Sequence, residues 1–510
     1  MRRLLAFTLL ALPLAAQSPP ADAAPDAALS AWRTYDFAQS EKLYHDAIAK
    51  NANAPEAQAG LIRSLLDEKK IPDARHAADA ALKLLPDSAP VLAANADVLY
   101  REGDLAGANT DYEKSIELNP ELARGWYGIA RIAQIDSRYR TAIRVIERAH
   151  ELDPDDPEIY EFWAFHLPRI DRRRALEHLI DHPGHMAPDH LSTLQSAVAW
   201  LITLGNRNSW ELASTTDNAK IKLDRVIRNV GGYGPSSGHQ TAVALQAVIN
   251  DKKVRLMIDT GATGIVLSRG AASKAKVRQI YDTVSRGIGD EKDASGYLGW
   301  AHSLKIGPIE FHNVPLNVID GHFPQDCDGL IGVNVFEHFL VTLDIQHSEL
   351  ALAPLPPLLD ANKDSTGNYD RYIAPEMKDY LPVLRVGAHI LVPTSVDDRP
   401  NRVFLLDTGA FDTQVDTKYV DPSKLTALVD IPIRGISGQV KDVLLASNVR
   451  IHFGPFVQDN FRMIALNMDK FSEGDGLGIK GILGFPLLSE FRLTFDYRDG
   501  LVNFDYLGKH

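Results

Sequence analysis

The sequence predicts a multidomain α + β protein: an all-α array of paired helices, followed by an all-β half made of two copies of one lobe. Three observations predict it. Motif positions recur every 34 residues through the first third of the chain. Near residue 220 helical periodicity gives way to short alternating apolar runs broken by glycine, proline and asparagine. The stretch "VRLMIDTGATGIVLS" at 254–268 returns as "VFLLDTGAFDTQVD" at 403–416. Each copy is an apolar strand that ends on an aspartate and continues Thr-Gly-Ala.

The N-terminus, "MRRLLAFTLLALPLAAQSPP", has the layout of an export signal over residues 1–16: Arg2 and Arg3, an apolar run from residue 4, then Leu14-Ala15-Ala16 as a small-residue cleavage site. That run is shorter than the ~20 residues a bilayer span needs. The expected location is therefore outside the cytoplasm, in a bacterial periplasm or the extracellular space, with no membrane attachment after cleavage. The single cysteine, Cys327, leaves no intrachain disulfide to form and reads as a structural residue. A formal charge of −13 and a pI near 5.7 argue against nucleic acid, which calls for a basic stripe.

Prolines 86, 120 and 154 mark the repeat, each just past a helix, where a missing N–H costs least. Ala74, Ala108 and Ala142 share one register, and Ala47, Ala81, Ser115 and Ala149 another. Small residues recur where two helices approach closely. The pattern resembles the tetratricopeptide repeat, a solenoid of helix pairs, with about four units up to residue 155 and signature-poor helical pairs completing a domain over 20–205. The resemblance implies a concave face that binds a peptide or protein partner. His178 and His182 stand four apart on a helix, a spacing a metal could use. They lack the adjacent glutamate of the zinc-protease order, and Pro183 ends the helix, so they read as surface histidines and no metal is assigned.

The β half repeats beyond its aspartates. "DGLIGVNVFEHFLVTLDIQ" (328–346) aligns without gaps on "KGILGFPLLSEFRLTFDYR" (480–498), with identities that include Gly332/Gly484, Thr342/Thr494 and Asp344/Asp496. Between aspartate and tail each copy carries a glycine hairpin, "SRGIGDEKDASG" (285–296) and "IRGISGQVKD" (433–442). The lobes are placed at 220–355 and 379–510, with a proline-rich linker at 356–378.

An aspartate after an apolar strand, the glycine hairpin, and two apolar residues before a glycine resemble a retropepsin-like aspartic protease lobe. Two in one chain resemble the bilobal pepsin arrangement, an acid-protease fold with one active site per chain. Asp259 and Asp407 are the candidate dyad. Two carboxylates about 3 Å apart cannot both ionise, so the pair keeps one proton, takes another from water and protonates the scissile carbonyl. Gly261 and Gly409 let backbone approach the carboxylates where a Cβ would intrude. The resemblance implies that Thr260 and Thr408 bond each other's loop, that Gly332 and Gly484 pack beneath the loops, and that Gly287-Ile288-Gly289 and Gly435-Ile436 with Gly438 form flaps over an extended polypeptide substrate. Ala262 and Ala410 supply no hydroxyl to the dyad, which predicts a mildly acidic optimum. Lys480 replaces Asp328 of the first copy at a position outside the dyad.

The expected protein is an exported aspartic endopeptidase that needs no cofactor, a monomer whose two lobes form an intrachain pseudo-dimer. The alternative is a non-catalytic peptide-binding scaffold on a protease-like fold, in which binding survives replacement of either aspartate.

Overall fold

The computed structural model describes residues 23–228, 239–285, 294–321, 323, 326–358, 369–427, 433–435, 438–440 and 442–508. The export segment 1–16, Gly287, Ile288, Gly289 and Ile436 lie outside them. Eleven helices come first among the described residues: α1 Ala23–Arg33, α2 Phe37–Lys50, α3 Pro55–Asp67, α4 Ile71–Leu84, α5 Ala89–Arg101, α6 Leu105–Leu118, α7 Ala123–Ile135, α8 Tyr139–Leu152, α9 Pro157–His166, α10 Arg169–Asp181 and α11 Pro188–Leu204. The in-phase small residues do what their recurrence predicts: Ala74, Ala108, Ala142 and Ala149 are fully buried between helices. Glycine and tyrosine interlock in the same phase. The Tyr44 ring of α2 lies where a Cβ on Gly60 of α3 would sit, and Tyr112 of α6 does the same at Gly128 of α7. Asp36 and Asp104 cap α2 and α6 by accepting from the N–H of Gln39 and Gly107.

The array curls until its ends meet. Arg33 of α1 pairs with Asp153 after α8 at 2.6 Å, and the His185 N–H donates to the Thr34 carbonyl at 2.8 Å. Inside, the first helices of successive pairs present charge to one another. Arg124 of α7, 8% exposed, reaches Asp97 of α5 at 3.3 Å, Asp156 at 3.2 Å and Glu158 of α9 at 2.6 Å. The Arg131 guanidinium lies between the rings of Tyr100 and Tyr127. Over α5–α9 the inner face expected to receive a partner is thus filled by the chain's own ion pairs.

The β half uses the strands β1 Ala219–Lys222, β2 His239–Ile249, β3 Lys252–Ile258, β4 Ile265–Ser268, β5 Arg278–Ser285, β6 Ala294–Ile306, β7 Gly329–Ile331, β8 Phe339–Asp344 and β9 Glu349–Pro354 up to the linker. After it come β10 Leu381–Pro382, β11 Leu384–Val386, β12 His389–Val396, β13 Arg402–Leu406, β14 Gln414–Asp416, β15 Ile433–Gly435, β16 Gly438–Val440, helix α12 Asp469–Asp475, β17 Ile479–Leu483, β18 Phe491–Asp496 and β19 Leu501–Tyr506. Each lobe has its own sheet, and a third sheet of six strands, ordered β10-β19-β18-β8-β9-β1, joins the two. Its central pair is β8 against β18, antiparallel, with Thr342 opposite Thr494. These are equivalent residues of the two copies, so the pseudo-twofold axis of the repeat passes between them. The apolar inner faces of both lobes and this sheet share one continuous core.

The array is packed onto the second lobe. Ala96, Tyr100, Ile132 and Ile135 are buried in one cluster with Leu391, Leu405, Ile479 and Ile482. Around that apolar contact Arg402 pairs with Asp104 at 3.1 Å, Arg371 with Asp136 at 2.9 Å and Lys69 with Glu473 at 2.8 Å.

Candidate active site

Each aspartate ends a strand that runs parallel to the strand carrying the downstream glycine motif. β3 pairs with β7 through Ile258 and Ile331, and β13 with β17 through Leu406 and Leu483. The chain after each aspartate returns on the other side of that same strand, β4 against β7 and β14 against β17. The Asp259 N–H donates to the Ile331 carbonyl at 3.0 Å, and the Asp407 N–H to that of Leu483 at 3.0 Å. Gly332 and Gly484 close these loops as expected. A Cβ on either would collide with a loop carbonyl, of Ala262 in the first lobe and Asp412 in the second. Asn334 and Thr413, which the motifs do not single out, complete them: the Gly264 N–H donates to Asn334 Oδ1 at 3.0 Å and the Gly484 N–H to Thr413 Oγ1 at 3.2 Å.

The two loops meet through their threonines. The Thr260 N–H donates to Thr408 Oγ1 at 3.1 Å, and the Thr408 N–H to Thr260 Oγ1 at 2.9 Å. Thr260 Oγ1 donates to the Leu406 carbonyl at 2.7 Å, and Thr408 Oγ1 to that of Ile258 at 3.2 Å. Both threonines are buried, so each of these bonds is made where water cannot replace it.

This frame brings Asp259 and Asp407 into hydrogen-bonding contact with one another. Gly261 and Gly409 each lie against the opposite carboxyl. A Cβ on Gly261 would stand 2.7 Å from Asp407 Cγ, and one on Gly409 2.5 Å from Asp259 Cγ. Backbone donors face the acids: Gly261 N–H to Asp259 Oδ1 at 2.9 Å, and the N–H groups of Gly409 and Ala410 to Asp407 Oδ1 at 2.7 and 3.1 Å. Burial first, and then the neighbouring carboxylate, push Asp259 well above the usual carboxylate range. Burial raises Asp407 as well, against the pull of hydrogen bonds from Asp259, Gly409 and Ala410. A pair so held retains a proton when isolated carboxylates have lost theirs.

The hairpins expected to close over this pair are bracketed. β5 and β6 pair up to Ser285 opposite Ala294, around the outlying Gly287-Ile288-Gly289. β15 and β16 pair up to Gly435 opposite Gly438. Lys480 is anything but idle: its ammonium lies 3.0 Å from the fully buried Asp416. In the first lobe Asp328 Oδ2 instead accepts the Arg255 N–H at 2.9 Å. Cys327 is half-buried against the Leu330 cluster, where burial pushes its thiol up, away from nucleophilic use. His178 and His182 are exposed, their rings 4.6 Å apart. A cleft of about 670 Å³ lies elsewhere, at the joint of array and lobes, lined by Tyr100, Arg131, Phe162, Glu337, Tyr369 and Arg385. No helix among the described residues is long and apolar enough to cross a membrane.

Paired aspartate loops, each beneath its own lobe and locked by reciprocal threonines, define an aspartyl-protease type of domain behind a helical repeat array. Comparison with known families gives the same two parts. The aspartyl protease family matches residues 245–335, and the tetratricopeptide repeat family residues 26–89 and 94–157. The chain therefore joins tetratricopeptide repeats to an aspartyl protease domain. The UBA domain-containing protein Mud1 of Schizosaccharomyces pombe is 29% identical over 106 residues, 20% of this chain and 31% of that protein. DNA damage-inducible protein 1 of Saccharomyces cerevisiae is 27% identical over 153 residues (29% of this chain, 33% of the relative), and that of Chaetomium globosum 23% over 138 residues (26% and 30%). The chain thus spans about a third of each relative's length.

Proposed function

We propose that this chain is an exported aspartic endopeptidase, in which Asp259 and Asp407 share one proton and activate water against a peptide carbonyl. The observation that carries the reading is the reciprocal bonding of Thr260 and Thr408, which fixes two carboxyls in contact in a buried setting. The ionised member takes a proton from water as it attacks and the protonated member donates to the carbonyl oxygen; the first then passes its proton to the amide nitrogen, and the C–N bond breaks as the gem-diol returns a proton to the second. The substrate is a polypeptide, drawn in extended form beneath the β5–β6 and β15–β16 pairs, and the array recruits a protein partner on surface other than the ion-paired inner face of α5–α9. The site belongs to a single chain, a monomer holding its own pseudo-dimer. Export rests on Arg2, Arg3 and the apolar run after them.

The test is incubation of the purified protein with a diverse peptide mixture across pH, with and without pepstatin, beside Asp259→Asn and Asp407→Asn. Cleavage that both variants and pepstatin abolish is the expected result. Peptide binding that persists in both variants, with no cleavage by the wild type at any pH, would replace this reading with that of a binding scaffold.

A further inference from the structure

Two loops so nearly symmetric leave open which aspartate carries the proton. The strands beside them differ. β12 and β13 are antiparallel with Leu391 opposite Leu405, and the same register carried two residues further sets His389 across from Asp407. Directly opposed residues of an antiparallel pair project from the same face. In the first lobe β2 and β3 pair with Ala244 opposite Met257, which sets Ala242 across from Asp259. The hairpin that leads to one aspartate thus carries an ionisable ring at the position where the hairpin leading to the other carries a methyl group.

The His389 ring stacks on Phe471 of α12, centroids 6.2 Å apart, which fixes its side of the strand. The other charges on the elements around it have their own partners. Arg385 of β11 donates to Tyr139 Oη at 3.0 Å and lies 3.7 Å from Glu337, and Arg402 of β13 pairs with Asp104. On α12, Asp469 pairs with Lys418 and Glu473 with Lys69, beside Lys470. The positive charge of a protonated His389 acts on Asp407 and favours its ionised form.

We infer that His389 is a positioning residue that breaks the symmetry of the pair, holding the charge on Asp407 and the shared proton on Asp259. Asp259 is then the acid that donates to the substrate carbonyl and Asp407 the base that receives the proton of water. The inference rests on the catalytic reading for these roles, but the location of the proton is open to test without catalysis.

Asparagine mimics a protonated aspartate. Asp259→Asn leaves a neutral group where the proton sits and an ionised Asp407 beside His389, whereas Asp407→Asn strands the charge on Asp259. Thermal midpoints of both variants are measured at about pH 5, each with and without His389→Ala. Asp259→Asn should melt several degrees above Asp407→Asn, and His389→Ala should narrow that gap, a coupling that a purely structural histidine does not produce. Equal midpoints, or a gap that His389→Ala leaves unchanged, overturn the inference. In peptide cleavage, His389→Ala should lower kcat/KM about threefold on the acid side of the profile and little at its plateau, with His389→Lys restoring it. An acid limb that does not move overturns it too. A wild type that cleaves nothing refutes the catalytic reading, and the stability cycle still decides where the proton sits.

Discussion

Thr342 and Thr494 face each other across the central pair of the six-stranded sheet, Oγ1 to Oγ1 at 3.1 Å. Equivalent residues of two copies meet in this way only on the axis that relates them, and the same axis sets Asp259 against Asp407. Both contacts lie within one chain. Mixing Asp259→Asn with Asp407→Asn protein is therefore expected to restore no activity, because every site keeps one asparagine. Exchange of lobes between two chains would instead regenerate one intact site per pair. Recovery of cleavage on mixing, with association shown by sedimentation, would decide for exchange.

Thr260 serves the frame twice, accepting the Thr408 N–H and donating to the Leu406 carbonyl. Thr260→Val keeps the shape and removes both bonds, leaving a buried donor and a buried acceptor unpaired. Each such loss costs about 1–3 kcal/mol, so urea unfolding should show a loss of roughly 2–6 kcal/mol, and peptide cleavage should fall at least tenfold. Thr260→Ser retains the hydroxyl and should recover most of both. A valine variant as stable and active as the serine one would mean that the threonines do not hold the dyad.

Much of this was legible in sequence, and what was not shares a cause. The two Asp-Thr-Gly copies, their downstream glycines and the 34-residue register are local patterns, and each fell where the spacing put it. Partners contributed by another element were not legible. Lys480 reads only as a substitution outside the dyad until β14 brings buried Asp416 beside it. His389 stands 18 positions before Asp407 in the chain, and only the register of β12 on β13 makes them neighbours. Tyr100 and Ile135 belong to the repeat array and to none of the motifs that the sequence singles out. That they meet the second lobe follows from the curl of the whole array, which no single repeat encodes.

Asp344 and Asp496 are identical residues at equivalent positions with opposite environments. Burial would raise Asp344, but the His347 N–H and the Arg492 guanidinium, at 3.0 and 2.9 Å, hold it below the usual range. Burial, and then the Asp499 carboxylate, push Asp496 up to about 6. A raised carboxyl binds its proton more tightly in the native state. Its contribution to stability is therefore present below the unfolded pKa of about 3.9 and is lost as pH rises toward 6. A lowered carboxyl works the other way: its contribution is present above about 3.9 and lost in acid. Asp496→Asn should accordingly raise the thermal midpoint by a few degrees at pH 7 and hardly change it at about pH 3.5. Asp344→Asn should lower the midpoint at pH 7, with the deficit shrinking in acid. Parallel pH responses in the two variants would contradict these assignments.

The array bears on the chemistry through one glycine. Gly103, in the turn between α5 and α6, has φ +80, and a Cβ there would collide with the Gly478 carbonyl of the second lobe. Gly478 leads directly into β17, whose last residue, Leu483, accepts the Asp407 N–H. A side chain at Gly103 therefore presses on the strand that supports one half of the dyad. Gly205 supplies the control: its φ is +59, and nothing lies within 4 Å of where its Cβ would be. Alanine at Gly205 (φ +59, ψ −125) meets backbone strain alone, whereas Gly103→Ala adds the collision to its own strain. Gly103→Ala should lower the thermal midpoint further than Gly205→Ala, and should reduce kcat on short peptides where Gly205→Ala does not. Removing the array should do more: a chain starting near residue 215 exposes the apolar face of Leu391, Leu405 and Ile479 that α5 and α7 cover, so it should bind hydrophobic dye and melt at lower temperature. If that truncated chain melts and cleaves like the full protein, the array is an accessory to the lobes and the Gly103 contact carries no coupling.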